Sequence, residues 1–186
     1  MSLDAPRQVA DQDRGSARDR AATATVLAFA AMLWCSWGLT EPPPSWVRPL
    51  DVAVYLAVAT TVVAAALAWR RRHGGSAMAD AEVRARYLRV VGIEGLAIGV
   101  GVVLLIVLGL PEQIASWTLL VVGVHFVPLG RAFRVPELTP CGVVCAVLAV
   151  AAAALGVAGV VAPNAVAGGI GGIAMLATAL VCLARR

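Results

Sequence analysis

Charged residues are scarce in this sequence. Only 14% of its 186 residues are charged, none of them is lysine, and aromatic residues make up 5%. Apolar residues make up 60%, and the mean hydropathy is +0.85. A soluble domain has about 45–50% apolar and about 25% charged residues. The composition therefore excludes a single water-soluble core and predicts a polytopic membrane protein.

Catalytic motifs are also absent. The sequence has no HExxH, no GxSxG, no Walker loop and no paired-carboxylate site. A membrane enzyme that acts on lipids usually needs several polar groups that converge at one depth. The sequence therefore favours a role without catalysis, and we expect no catalytic residues and no cofactor.

The basic balance does not indicate a nucleic-acid partner. Fifteen basic residues against eleven acidic ones give a net charge of +4 and a pI near 9.3. The Arg residues nevertheless stand in short clusters beside apolar segments, which is typical of topology signals rather than of a phosphate-binding groove. We expect Arg70, Arg71 and Arg72 to contact anionic lipid headgroups, at about 1 kcal/mol per residue.

Six apolar segments divide the chain, each near the ~20 residues that a helix needs to cross a bilayer. They cover 22–40, 51–69, 90–110, 113–130, 141–162 and 165–184. They are apolar on every face, so helices are expected rather than barrel strands, and four of the five connections between them contain proline. The sequence predicts an all-α transmembrane domain over 21–186, with six helices arranged as three helical hairpins. The polar residues 1–20 are expected to form a mobile cytoplasmic tail.

The distribution of Arg predicts the orientation. An even number of spans puts both termini on one side, and that side receives fourteen of the fifteen Arg residues, leaving only Arg48 on the other. Short loops rich in Arg stay in the cytoplasm. We therefore expect a multi-pass protein of a bacterial inner (plasma) membrane with both termini in the cytoplasm.

Two strongly ionisable residues lie well inside the spans, Glu94 in the third and His125 in the fourth. Such residues are expensive in a bilayer and often mark functional sites. Glu94 follows Arg89 by five residues and His125 precedes Arg131 by six, so both should lie at a similar depth on neighbouring helices. A carboxylate beside an imidazole can exchange a proton. Alternatively, Glu94 pairs with Arg89 or Arg131, and His125 holds two helices together by a hydrogen bond.

The stretch around His125 contains two further candidate residues. Pro128 lacks an N–H, so the carbonyl of Val124 loses its helical partner and a kink is expected. Arg131 closes the helix, and together these groups could hold an anion or a headgroup. The alternative is a hinge followed by a topology anchor. The string His125-Phe126-x-Pro128-Leu129 resembles one in small, uncharacterised bacterial polytopic membrane proteins; the resemblance covers a short stretch and implies no activity.

Small residues form stripes on two of the predicted helices. Gly92, Gly95 and Gly99 share one face of the third helix, away from Glu94, so we expect that helix to lie centrally in the bundle. Gly168 and Gly172 form a GxxxG in the sixth helix, which is expected to pack against the fifth helix or to join protomers. Cys141, Cys145 and Cys182 lie near one membrane side, but without a neighbouring acid or His we expect them to be small apolar residues and not a metal site.

Three functions remain open from the sequence. The first is transport or permeation of a small solute or an ion, linked to protons through Glu94 and His125. The second is a non-catalytic membrane subunit or scaffold, a homo-oligomer or a partner subunit, that assembles through glycine-rich faces. The third is a lipid-modifying enzyme that uses His125, Glu94 and Arg131.

Overall fold

The computed structural model describes the backbone of residues 5–185 and the side chains of residues 17–185. Six α-helices form the fold, and no β-strand occurs within this described range. The helices are α1 (Ala5–Gly38), α2 (Val47–Arg70), α3 (Ala81–Val107), α4 (Ile114–Ala132), α5 (Leu138–Val157) and α6 (Gly171–Ala184). A π-helical turn, Ala165–Ile170, leads directly into α6.

Five of the helices, and α6 together with the π-helical turn before it, form segments that are long and apolar enough to cross a membrane. The predicted all-α, six-helix membrane architecture is thus confirmed. Three short 3₁₀ turns lie in the connections, at Pro44–Trp46, Ala77–Ala79 and Pro111–Gln113. Proline stands at the start of the first and the third, where its missing N–H costs no hydrogen bond.

Glycines end α3 and α5 in the same way. Gly109 and Gly159 have φ of 71° and 67°, a left-handed conformation that suits a residue without a side chain. The next residue in each case turns back to the helix, with Leu110 N–H donating to Leu105 O and Val160 N–H to Leu155 O. This capping arrangement satisfies carbonyls that would otherwise lack a partner at the helix end.

The first helix begins earlier than the sequence suggests, at Ala5 instead of residue 22. The tail that we expect to be mobile through residue 20 is therefore helical from Ala5, while residues 1–4 lie outside the described residues. Arg18 donates to the carbonyl of Gly74, and Asp19 accepts hydrogen bonds from Ser76 Oγ and Ala77 N–H, both at 2.7 Å. These bonds tie the start of the first span to the loop between α2 and α3.

Small residues dominate the core, which lies mainly between α1, α4, α5 and α6. Two buried clusters run along it, and Ala and Cys supply most of their members. Leu119 of α4 and Met175 of α6 are the largest residues fully buried at the centre of the first cluster. Small side chains allow close helix contact, which is how helices gain packing energy in lipid.

Gly168, in the turn before α6, and Gly172 of α6 pack against α1 and not against α5. A Cβ at Gly172 would lie 2.6 Å from Cys35 Sγ and 2.8 Å from Cys35 N, and a Cβ at Gly168 would lie 2.8 Å from Trp34 O. The expectation that this GxxxG packs α5 on α6 is therefore wrong. The backbones of α4 and α5 meet at a second crossing, between Gly123 and Gly142.

Helix α3 lies at the edge of the bundle, so its predicted central position is wrong. Gly101 is its only buried residue among those described, and its main helix contact is with α4. A Cβ added at Gly92, Gly95 or Gly99 would meet open space. The most extensive helix contacts are α4 with α5, α1 with α2 and α1 with α6, and the arrangement as three successive hairpins is not confirmed.

Candidate functional site

The seam between α3 and α4 is built around an indole. The Trp117 ring occupies the place that a side chain at residue 101 would take, so only glycine fits there. Trp117 Nε1–H donates to the carbonyl of Ala97 at 3.1 Å. This contact sets the register in which the two antiparallel helices run beside each other.

The same register brings Glu94 and His125 together. Glu94 Oε2 lies 3.0 Å from His125 Nδ1, while the side chains are 18% and 8% exposed. The pair lies about two helical turns from the Trp117–Gly101 contact, or roughly 11 Å at 1.5 Å per residue. It thus lies well inside both candidate spans, where an ionisable side chain has little access to water.

The contact between the two groups is close but is not a linear hydrogen bond. His125 Nδ1 is buried, and among the described side chains no acceptor stands in line with its N–H. We take the 3.0 Å separation of the ring and the carboxylate as the defining feature, because the two helices set it. The hydrogen direction, in contrast, changes with a small rotation of the imidazole.

Neighbouring residues hold the imidazole in place. The Phe126 ring stands edge-on to it, with 6.0 Å between the centroids. Two residues before His125, Gly123 brings α4 against the backbone of α5 at Gly142. Two residues correspond to about 200° around a helix, so His125 lies on the other side of α4, where it meets the carboxylate of α3.

The other two predicted site residues do not join the pair. Pro128 lies inside α4, three residues after His125, and the helix continues past it to Ala132. Arg131 is exposed at the end of that helix and takes no part in the Glu94–His125 contact. Of the four candidate residues, the structure therefore brings together Glu94 and His125. Glu94 faces His125 and does not pair with Arg89 or Arg131, which was the alternative expectation.

One buried acid was missed by the sequence analysis. Glu137, in the connection between α4 and α5, has a side chain only 6% exposed, and its Oε1 lies 3.0 Å from Arg185 NH1. Its position between Pro136 and Pro140 suggests an exposed loop. Its neighbour Arg185 is 48 residues away in the chain, so only the packing of α6 beside α5 reveals the pair.

The cysteines are buried and none is in a disulfide within the described range. Cys141 and Cys145 lie one turn apart on α5 and are buried in the first cluster, and Cys182 of α6 is buried in the second. No cluster of three or more His, Cys, Asp or Glu side chains suited to a metal ion occurs in the part of the chain that the structure covers. The buried thiols contribute small side chains to the two clusters.

Comparison with known proteins adds no assignment: no family model, no curated protein and no solved structure matches this chain. Its function is therefore inferred from its own residues and their geometry.

Proposed function

We propose that this integral membrane protein moves a small solute or an ion across the membrane, and that the Glu94–His125 pair links the movement to protons. The observation that carries the proposal is the 3.0 Å approach of a carboxylate and an imidazole inside two candidate spans. A charged side chain at the centre of a bilayer costs about 2.5–3.5 kcal/mol on insertion scales, so such a pair is a functional site by default.

The chemistry of the pair suits a proton-linked step. Glu94 and His125 together hold one proton as a carboxylate and an imidazolium, or as their neutral forms, and a second proton adds a full charge. In a medium of low dielectric constant, one added charge changes the local energy by several kcal/mol. Because α3 is held mainly by α4, a change of charge at their seam acts directly on the position of α3.

Orientation and location are part of the same proposal. We place both termini in the cytoplasm of a bacterial cell and the chain in its inner membrane, because fourteen Arg residues share the side of the termini. Arg72 lies over the Trp69 ring at 4.4 Å and Arg71 donates to Ala17 O. Arg70, Arg71 and Arg72 then stand where anionic headgroups are expected.

The test uses the full chain in proteoliposomes. Vesicles with a pH gradient and internal pyranine are challenged with a panel of alkali cations, amino acids, carboxylates and sugars. We expect one class to evoke proton movement, and we expect His125→Ala and Glu94→Gln to abolish it. Glu112→Gln changes an exposed acid of the α3–α4 turn and serves as the matched control.

Two results would contradict the transport proposal. One is a wild-type protein that evokes no more proton movement than protein-free vesicles with any member of the panel. The other is undiminished flux in both Glu94→Gln and His125→Ala. Circular dichroism and size-exclusion chromatography of each variant establish that it is folded.

A second candidate function, a membrane subunit or scaffold, is favoured by the outer face of α3. Gly92, Gly95 and Gly99 have no neighbour from the rest of the described chain, although such residues commonly lie between helices. In this case Gly95→Leu would disrupt an assembly and His125→Ala would not. A lipid-modifying enzyme is less well supported, because it needs a lateral opening beside His125, whose side chain is 8% exposed.

A further inference from the structure

A cleft of about 670 Å³ opens between α3, α4 and α5, at the end of the bundle that carries the α3–α4 turn. It is separate from the Glu94–His125 pair and does not depend on the proposed function. Leu105 of α3, Leu120 of α4 and Val157 of α5 form parts of its wall. Ala149, Ala153 and Ala154 face it from α5, and their small side chains leave the space open. Its volume lies within the range of ligand sites in proteins, about 300–1,000 Å³.

Two residues that line this cleft each carry a buried polar atom without a partner. Ser116 is 4% exposed, and its Oγ makes no hydrogen bond to the described chain. Gln113 Oε1 is likewise buried without a partner. The third polar group of the wall, the Trp117 indole N–H, is already bonded to Ala97 O. Buried polar atoms are nearly always satisfied, so a serine and a glutamine left open in one apolar cleft indicate a missing partner.

The two atoms without a hydrogen-bond partner specify the chemistry of the missing group. Gln113 Oε1 can only accept a hydrogen bond, whereas the Ser116 hydroxyl has a hydrogen to donate. A hydroxyl group serves both, since it donates to the amide oxygen and accepts from the serine. A ketone offers no donor to Gln113, and an ammonium group would be buried in apolar surroundings without a counter-ion.

We propose that this cleft binds the hydroxyl end of a long-chain alcohol dissolved in the membrane. The hydroxyl lies between Ser116 and Gln113, and the apolar chain lies along Leu105, Leu120 and the alanines of α5. Straight-chain and isoprenoid alcohols share this chemistry, and the test separates them.

The test uses the fluorescence of Trp117, which lines the cleft. The full chain in phosphatidylcholine nanodiscs is titrated with 2-bromododecan-1-ol, whose bromine lies next to the hydroxyl and quenches a nearby indole, and in parallel with 1-bromododecane. The Trp117→Phe variant gives the signal of the other four tryptophans. We expect the alcohol to quench Trp117 at a roughly tenfold lower mole fraction than the bromoalkane, because it makes two more hydrogen bonds.

Variants divide that difference between the two polar residues. Ser116→Ala and Gln113→Leu are each expected to raise the mole fraction of alcohol needed to quench Trp117 about threefold to fivefold. Neither change should alter the mole fraction of bromoalkane that is needed. Thr118→Val is the matched control, because the Thr118 hydroxyl already bonds to Ile114 O on the same helix. Ala153→Leu fills the cleft and is expected to abolish the quenching of Trp117 by both compounds.

Competition identifies the source of the hydroxyl, with farnesol and unbrominated dodecan-1-ol displacing the bromoalcohol. Stronger displacement by farnesol assigns an isoprenoid alcohol, and the reverse assigns a straight-chain one. The proposal is overturned if the alcohol and the bromoalkane quench alike, if 2-dodecanone displaces as well as dodecan-1-ol, or if Trp117→Phe retains the full quenching. The wild-type comparisons stand even if a variant fails to fold, and none of them involves proton movement.

Discussion

Glu94 and His125 meet on antiparallel helices, with Oε2 and Nδ1 3.0 Å apart, at the helical register that also seats Trp117 on Gly101. Residue 101 follows residue 94 by seven positions, and residue 117 precedes residue 125 by eight. The two contacts therefore lie about two turns apart along the same seam. The indole and the glycine set the register, and the register brings the acid to the imidazole.

A double-mutant cycle measures the strength of that pair. We expect Glu94→Gln and His125→Ala to be non-additive, with a coupling free energy of about 0.5–3 kcal/mol, because each change removes the partner of a buried polar group. Reversible unfolding in mixed micelles supplies the free energies. Glu82 and Arg86 form the reference pair, an exposed contact one turn apart on α3, for which about 0.5 kcal/mol or less is expected. Equal coupling in the two cycles would mean that Glu94 and His125 do not interact in the folded protein.

The crossing of α4 and α5 predicts opposite effects of two glycine-to-alanine changes. A Cβ at Gly123 would lie 2.7 Å from both Gly142 O and Ala146 N, which are backbone atoms that cannot turn away. Gly123→Ala is expected to lower the free energy of unfolding by about 1–3 kcal/mol. Gly95→Ala enters open space and is expected to raise it by about 0.5–1 kcal/mol, because alanine is the better helix former. A Gly123→Ala protein that is as stable as the wild type would show that α4 and α5 do not cross here.

The contact between α1 and α6 predicts a loss of stability that does not depend on protein concentration. Gly172→Ala brings a methyl group against Cys35 and the carbonyl of Ala31 within the same chain. We expect a lower melting temperature at every protein concentration, with the oligomeric state unchanged. Cys35→Ala should restore only part of the loss, because the backbone nitrogen of residue 35 remains 2.8 Å from the added Cβ. A melting temperature that recovers as the protein is concentrated would instead place this glycine between protomers.

The loop between α2 and α3 is expected to open when Asp19 is changed. Its carboxylate accepts from Ser76 Oγ and from Ala77 N–H, each at 2.7 Å. Asp19→Asn removes the charge and one acceptor, so the free energy that protects the Ala77 amide should fall by about 1–3 kcal/mol. Hydrogen exchange followed by mass spectrometry measures the peptide that contains Ala77. The control is Glu82→Gln, an exposed acid that makes no bond to this loop. Exchange that is equally slow in both variants would contradict the role of Asp19.

Much of the candidate pair follows from sequence distance alone. Glu94 follows Arg89 by five residues and His125 precedes Arg131 by six, so a common depth can be inferred without coordinates. That their side chains face each other could not be inferred, because it depends on the rotation of each helix about its axis. Trp117 and Gly101 set that rotation, and nothing in their sequence positions identifies them as partners.

The glycines illustrate the opposite case. The stripe of Gly92, Gly95 and Gly99 and the pair Gly168 and Gly172 look alike in the sequence, but the first meets open space and the second receives the backbone of α1. The pattern marks faces that allow close approach. It carries no information about which helix approaches them, and the predicted central position of α3 was wrong for that reason.

The amino-acid sequence by itself determined that the chain has six membrane-length helices, where most of their connecting turns lie, and that Glu94 and His125 lie well inside them. Each of these properties depends on how a local segment partitions between water and lipid, and a segment's own residues decide that. Tertiary structure alone decided that α1 packs on α6, that α4 crosses α5, that α3 lies outside, and that Ser116 and Gln113 line one cleft. Lipid is as apolar as the helix surfaces, so the choice of neighbours rests on the fit between backbones and side chains that are distant in the chain.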